Sequence, residues 1–288
     1  MKYTIKNRQL TVTVDSIGAE LVSVKKREEE YIRQRRNSEL WLSHAPILFP
    51  VCGRLNGGVY LYDGREYKMP LHGFAKDSDF EVRFCGNDRV LLSLSADEKS
   101  KELFPFDFEF TVEYRLSADA VDVKTVIKNK GDKVMPATVG FHPGFAIAHD
   151  ADLLPDCRID FVEDCSPDKL LLSSGGFNTG RKTAFWLKDG HLLNVSDDLI
   201  GDCGIFLSNT SGCVRLESPV GKKRVEIDCH GIPYVGMWRE KNAGYLCIEP
   251  WCGLPSFEGD RDDLETKNDM FRIQPMTEKE IGIRMKFF

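Results

Sequence analysis

Residues 106–116 read Phe-Asp-Phe-Glu-Phe-Thr-Val-Glu-Tyr-Arg-Leu, with Phe106, Phe108, Phe110, Val112, Tyr114 and Leu116 alternating with Asp107, Glu109, Thr111, Glu113 and Arg115. A period of two puts every apolar side chain on one face of an extended chain and every polar one on the other, which a helical period of 3.6 cannot do. The stretch predicts a long antiparallel strand with one buried and one solvated face. Ser117-Ala118-Asp119 then reads as a turn, and Val121, Val123 and Thr125 as the returning arm of a hairpin.

The same reading predicts strands near 3–6, 10–15, 20–25, 59–62, 80–84, 89–95, 205–208, 213–217, 223–228 and 245–249. Pro219-Val220-Gly221 supplies turn chemistry between Val214/Leu216 and Val225/Ile227. Helical pieces are expected only at 97–103, ahead of Pro105, and at 259–269, because no segment sustains a helical period over twelve positions. The fold class is all-β with few short helices. No Pro/Ser-rich linker, repeat or low-complexity block divides the chain, so residues 1–288 are expected to form one domain. The charged run 25–36 (KKREEEYIRQRR) reads as a solvated hairpin tip rather than a binding patch.

At 288 residues the chain is long enough to bury about three quarters of its unfolded surface without a metal or disulfide. Its formal charge of −6 provides no broad cationic field, which argues against nucleic acid and anionic lipid as partners. The apolar stretch 45–51 contains two prolines and is far shorter than the ~20 residues of a membrane span. Residues 1–10 alternate polar and apolar rather than forming a signal peptide, so a cytoplasmic location is expected. The nine cysteines are odd in number and irregularly spaced, which fits reduced thiols, and the Asn194 and Asn209 glycosylation sequons then read as chance matches.

Four segments break the strand pattern with clustered Gly, Pro, His and aromatics: 46–54 (PILFPVCGR), 71–77 (LHGFAKD), 140–145 (GFHPGF) and 245–253 (YLCIEPWCG). In the last, Tyr245, Cys247 and Glu249 share one strand face and Leu246 and Ile248 the other. Glu249 is therefore a carboxyl in an apolar strand, either a salt-bridged structural residue or a general base with a raised pKa. Pro250 favours an extended backbone at Glu249, and Pro143 does the same at His142. Gly140 and Gly144 leave room there for a ligand or for backbone. His142 and His72 are each either satisfied core histidines or proton-transfer groups, and Arg54 is either a surface ion-pair partner or a ligand anchor. Phosphate loops, His-x-His, Cys-x-x-Cys and Gly-x-Ser-x-Gly are absent from the sequence, which leaves acid/base chemistry by His and Glu.

In these four segments, taken in order, the chain resembles the aldose 1-epimerase (mutarotase) family and its LacX-like bacterial branch. The resemblance implies a large antiparallel β-sandwich, the galactose mutarotase-like supersandwich, and interconversion of the α and β anomers of a hexose or hexose phosphate. It implies Glu249 as catalytic base, His142 as general acid, and Arg54 and His72 as sugar-binding residues. It also implies a substrate-binding aspartate, best matched by Asp202, with Asp197 and Asp198 as rivals. Phe74 and Trp251 are candidate apolar walls beneath the sugar ring, with core packing as the other reading. Two positions depart from the branch pattern: Lys76 stands where Arg is usual, and Ser256 where Asp is frequent. No metal or organic cofactor is expected, and the partners are a small sugar and, at most, a second copy in a homodimer. A non-catalytic carbohydrate-binding protein on the same fold is the alternative. A glycoside hydrolase would call for two facing carboxylates, where these motifs offer one Glu and two His.

Overall fold

A computed structural model describes residues 1–35, 41–146, 157–201, 203–218, 223–241 and 243–288. The alternating stretch forms the strand Phe108–Ser117, paired antiparallel with Ala120–Asn129 through a turn in which Ala118 has φ 51°. This hairpin lies within a nine-stranded antiparallel sheet, and Glu278–Phe287 runs beside Ala120–Asn129 at its centre. Ile281, Ile283, Met285 and Phe287 alternate in that strand as clearly as the residues of the hairpin, a signal the sequence reading passed over.

An eight-stranded antiparallel sheet runs in the order 178–184, 168–172, 205–208, 234–238, 245–251, 140–141 and 47–48, with 144–146 also pairing to 245–251. The apolar faces of both sheets contribute to one core: Phe110 stacks on Phe49 at 4.3 Å between ring centres, and Leu246 and Ile248 are fully buried in the same cluster. The architecture is the expected large antiparallel β-sandwich. Burial of this core is the main drive for the arrangement, because each strand hides one face only by stacking on the other sheet.

The expected helix at 97–103 is present as Glu98–Leu103. Asp97 accepts from the Ser100 N–H, and the Ser100 hydroxyl accepts from the Asp97 N–H. The helix expected at 259–269 is not formed. The Leu264 N–H donates to Leu61 O and the Leu61 N–H to Asp262 O, so the loop is tied sideways to the strand Val59–Tyr62, and what closes within it is an isolated turn, the Thr266 and Lys267 N–H groups donating to Asp263 O. A second short helix, Asp197–Ile200, was not anticipated. The charged run also differs in part from expectation. Lys25–Lys26 and Glu29–Glu30 make the hairpin tip, but Tyr31, Ile32 and Arg33 turn inward and are buried. The turn expected at Pro219-Val220-Gly221 lies outside the described residues, although the strands it would join, Cys213–Ser218 and Lys223–Asp228, pair as anticipated. Among the described residues no helix is long and apolar enough to cross a membrane.

Candidate active site

Glu249 lies in the central strand Tyr245–Trp251, every residue of which is buried. Leu246 and Ile248 face the core between the sheets, whereas Tyr245, Cys247, Glu249 and Trp251 occupy the opposite face. The neighbouring chain is interrupted: Gly140 pairs with Trp251 and Gly144 with Cys247, and this register puts His142 directly across from Glu249. His142 Nε2 is 3.2 Å from Glu249 Oε2. Two residues more than a hundred positions apart in sequence thus become cross-strand neighbours, held by a backbone ladder on both sides.

Gly140 and Gly144 do leave room, at Gly140 for side chains and at Gly144 both for side chains and for the His44 backbone, whose carbonyl oxygen would lie 3.2 Å from a Cβ there. A Cβ at Gly140 would lie 2.9 Å from Trp251, and one at Gly144 would lie 2.9 Å from Trp41. The two glycines let these indoles close on His142 from either side. Trp41 packs at 5.0 Å from the imidazole, Trp238 at 5.9 Å and His72 at 5.6 Å.

His142 and Glu249 open onto a cavity of about 500 Å³, within the size range of small-ligand sites. Trp41, Trp238, Trp251 and Phe206 supply its aromatic walls, and Arg54, His72, Lys76 and Asp77 its polar ones. Three of the four tryptophans in the chain line this single space. That scarcity was a usable signal for Trp41 and Trp238, which the motif reading did not select.

His72 stands in the left-handed region at φ 65°, followed by Gly73 at φ 77°. The turn is clamped at both ends: the His72 N–H donates to Gly53 O at 2.8 Å, and the Gly53 N–H donates to His72 Nδ1 at 3.1 Å. Only glycine fits at position 73, because a Cβ there would lie 2.0 Å from the Phe49 carbonyl oxygen. With Nδ1 used as an acceptor, the neutral ring carries its proton on Nε2. Burial, reinforced by nearby His142, Lys76 and Arg54, holds the His72 pKa well below the usual histidine range, so this neutral form prevails.

Burial also dominates the titration of His142 and Glu249. It pushes the Glu249 carboxyl well above the ordinary carboxylate range and lowers His142 to about 4, with the His142 backbone opposing in part. Both groups are therefore driven towards neutrality, with one proton between them. Glu249 Oε1, His142 Nδ1 and Trp251 Nε1 are buried without a hydrogen-bond partner among the described residues. Cys247 approaches the pair, and its sulfur with His142 and Glu249 offers three metal-ligating atoms within 4.8 Å of one another. The search for metal motifs missed this cluster because its members come from two strands rather than one spaced motif.

The structure brings Arg54, His72, His142, Glu249 and Trp251 together around one cavity. Arg54 is exposed at its edge, and among the described residues its guanidinium has no carboxylate partner. Phe74 is a correction: it is buried against Phe49, Phe104 and Phe108 in the core between the sheets and does not line the cavity. Asp202 lies outside the described residues, while Asp197 and Asp198 fall in the helix Asp197–Ile200, where Asp198 is exposed and does not line the cavity. Lys76, the Arg-to-Lys departure, lines the cavity and is paired with Asp77. Ser256 is fully buried and hydrogen-bonded to Asp262, which in turn meets Lys267 at 3.4 Å.

Comparison with known proteins bears on the family and the fold. Residues 1–198, which include His142, match the family model described as aldose 1-epimerase. The plasmid-encoded protein LacX of Lactococcus lactis subsp. lactis is 27% identical, with 96% of each chain covered, so that likeness extends beyond Glu249. A galactose mutarotase related enzyme from Lactobacillus acidophilus superposes with a TM-score of 0.92 at 31% identity, covering 100% of this chain and 97% of the other. A galactose mutarotase-like protein from Lactobacillus casei gives 0.93 at 26% identity, with both chains covered fully. Sequence match, full-length relatives and a shared sandwich converge, and the chain belongs to the aldose 1-epimerase family.

Proposed function

We propose that the cavity binds an aldose, a hexose or hexose phosphate, and interconverts its α and β anomers, with Glu249 as base and His142 as acid. The observation that carries this reading is the cross-strand pair, His142 Nε2 to Glu249 Oε2 at 3.2 Å, on the wall of a sugar-sized cavity. Anomerisation removes the proton from O1 and delivers one to the ring oxygen, and both oxygens are bonded to C1. An acid and a base a few ångströms apart match that demand.

In the productive state the single proton of the pair resides on His142 and Glu249 is ionised. This ion pair carries the same net charge as the neutral pair favoured by burial, so reaching it needs no proton from solvent. Glu249 takes the O1 proton as the C1–ring oxygen bond breaks, its electrons pass to the ring oxygen, and His142 protonates that oxygen. Rotation about C1–C2 in the open-chain aldehyde presents the other carbonyl face, and closure reverses both transfers. Atoms and protons balance with the sugar and two side chains alone. The Nε2–H of His72 and the Arg54 guanidinium serve as hydroxyl or phosphate donors at the cavity wall. The residues 1–288 are taken to work as one domain.

Exchange NMR between anomers, run on glucose, galactose and their 6-phosphates, tests the proposal. Wild type should accelerate exchange, and Glu249→Gln and His142→Asn should each lose about 10²–10⁴-fold in turnover while retaining much of the sugar binding. Full activity in both variants overturns the assigned roles, and binding without acceleration in wild type leaves a carbohydrate-binding protein.

A further inference from the structure

Cys247 has no place in the anomerisation scheme, yet it sits on the same strand face as Glu249 and opposite Gly144, one pairing step from His142. The three ligand atoms Cys247 Sγ, Glu249 carboxylate O and His142 N all lie within 4.8 Å of one another, and all three residues are buried. Glu249 is 1% exposed, and its Oε1 has no hydrogen-bond partner among the described residues. From these observations we infer that the acid/base pair doubles as a binding site for a thiophilic divalent cation of the zinc type. Occupation of that site would switch the enzyme off.

The geometry is near that of a three-ligand zinc centre. Bond lengths of ~2.0–2.3 Å at tetrahedral angles separate ligand atoms by about 3.3–3.6 Å. The imidazole–carboxylate contact already stands at 3.2 Å, and the sulfur needs to close by about 1 Å. Thiolate, imidazole and carboxylate together favour zinc or cobalt(II) over magnesium or calcium, which take oxygen ligands. His142 and Glu249 line the cavity through which the ion arrives, whereas Cys247 is fully buried and outside that lining, and one coordination position is left for solvent. Binding releases the thiol and carboxyl protons to solvent, and the thiolate and carboxylate then balance the charge of the dication. The metal occupies the lone pairs that Glu249 and His142 would use on the sugar, so metal and aldose exclude each other.

The inhibitory consequence rests on the anomerase reading, whereas the binding does not, and the experiment separates the two. Cobalt(II) titrated into the protein should give intense visible bands of tetrahedral coordination and a thiolate-to-cobalt charge-transfer band, both abolished by stoichiometric zinc. Cys247→Ala should lose the charge-transfer band and weaken cobalt binding by at least tenfold, while Glu249→Gln, which keeps the sulfur, should weaken it similarly. In the anomer-exchange assay micromolar zinc should inhibit wild type reversibly on chelation, magnesium should not, and Cys247→Ala should retain turnover yet resist zinc. Absence of the thiolate bands, or bands and inhibition unchanged in Cys247→Ala, overturns the inference. Bands that behave as expected in a protein lacking anomerase activity would uphold the metal site and refute the proposed reaction instead.

Discussion

At His142 and Glu249 the sign of each pKa shift fixes how activity and stability vary with pH. In the proposed anomerisation the pair works with one proton. Below about 4 the imidazole takes a second one while Glu249 keeps its own, so no base remains and kcat/KM should fall with falling pH through that point. The opposite limb, where the last proton leaves, should lie well above the usual carboxylate range. Stability follows separate rules. The unfolded chain protonates histidine below about 6.5 but native His142 resists until about 4, so the native state loses stability as pH drops through that window. Native Glu249 keeps its proton after the unfolded carboxyl has ionised above about 4.5, so its contribution is lost as pH rises. Glu249→Gln removes the second penalty alone. Thermal melts at pH 8 should therefore show this variant at least as stable as wild type, and a marked destabilisation there would mean that burial does not raise this carboxyl.

Among the elements, the interrupted strand pair 140–141 and 144–146 converts sequence into a site. Alternation made a strand at 245–249 and its two faces legible, which the structure extends to Trp251, since the parity of Glu249 against Leu246 and Ile248 is a property of the backbone. The four motif segments likewise marked Arg54, His72, His142 and Glu249. What the sequence could not show is register. That Gly140 faces Trp251 rests on long-range pairing, and with it the opposition of His142 and Glu249. Phe74 was misread for a similar reason: its motif is near the site, but the turn at His72-Gly73 aims the following ring into the core. Gly140→Ala tests the pairing. The new Cβ would meet Cys52 Sγ at 2.8 Å and Trp251 Cδ1 at 2.9 Å, so overpacking should cost about 1–3 kcal/mol in chemical denaturation. Displacement of Trp251 from the cavity wall should also lower kcat/KM by about tenfold or more. Unchanged kinetics would show that the indole does not define the cavity.

Across the whole molecule, the eight-stranded sheet separates two aromatic populations. On its inner side Phe49, Phe74, Phe104, Phe108 and Phe110 interlock with ring centres 4.3–6.4 Å apart and join the two sheets. On its outer side Trp41, Trp238, Trp251 and Phe206 surround the acid/base pair and face the cavity. The inner rings gain their free energy during folding, whereas the partly exposed Trp41 and Trp238 keep apolar surface at the cavity wall for a ligand to cover. Substitutions of equal severity on the two sides should therefore separate stability from binding. Phe74→Ala leaves a void between the sheets and should cost about 3–5 kcal/mol, seen as a lower urea midpoint, with KM for the aldose near its wild-type value. Trp41→Ala removes a partly exposed indole beside His142 and should raise KM by about tenfold, with a smaller change in the urea midpoint. The reverse ordering, with KM following Phe74 and the midpoint following Trp41, would mean that the sugar does not bind against the outer aromatic wall and that the sandwich depends on it instead.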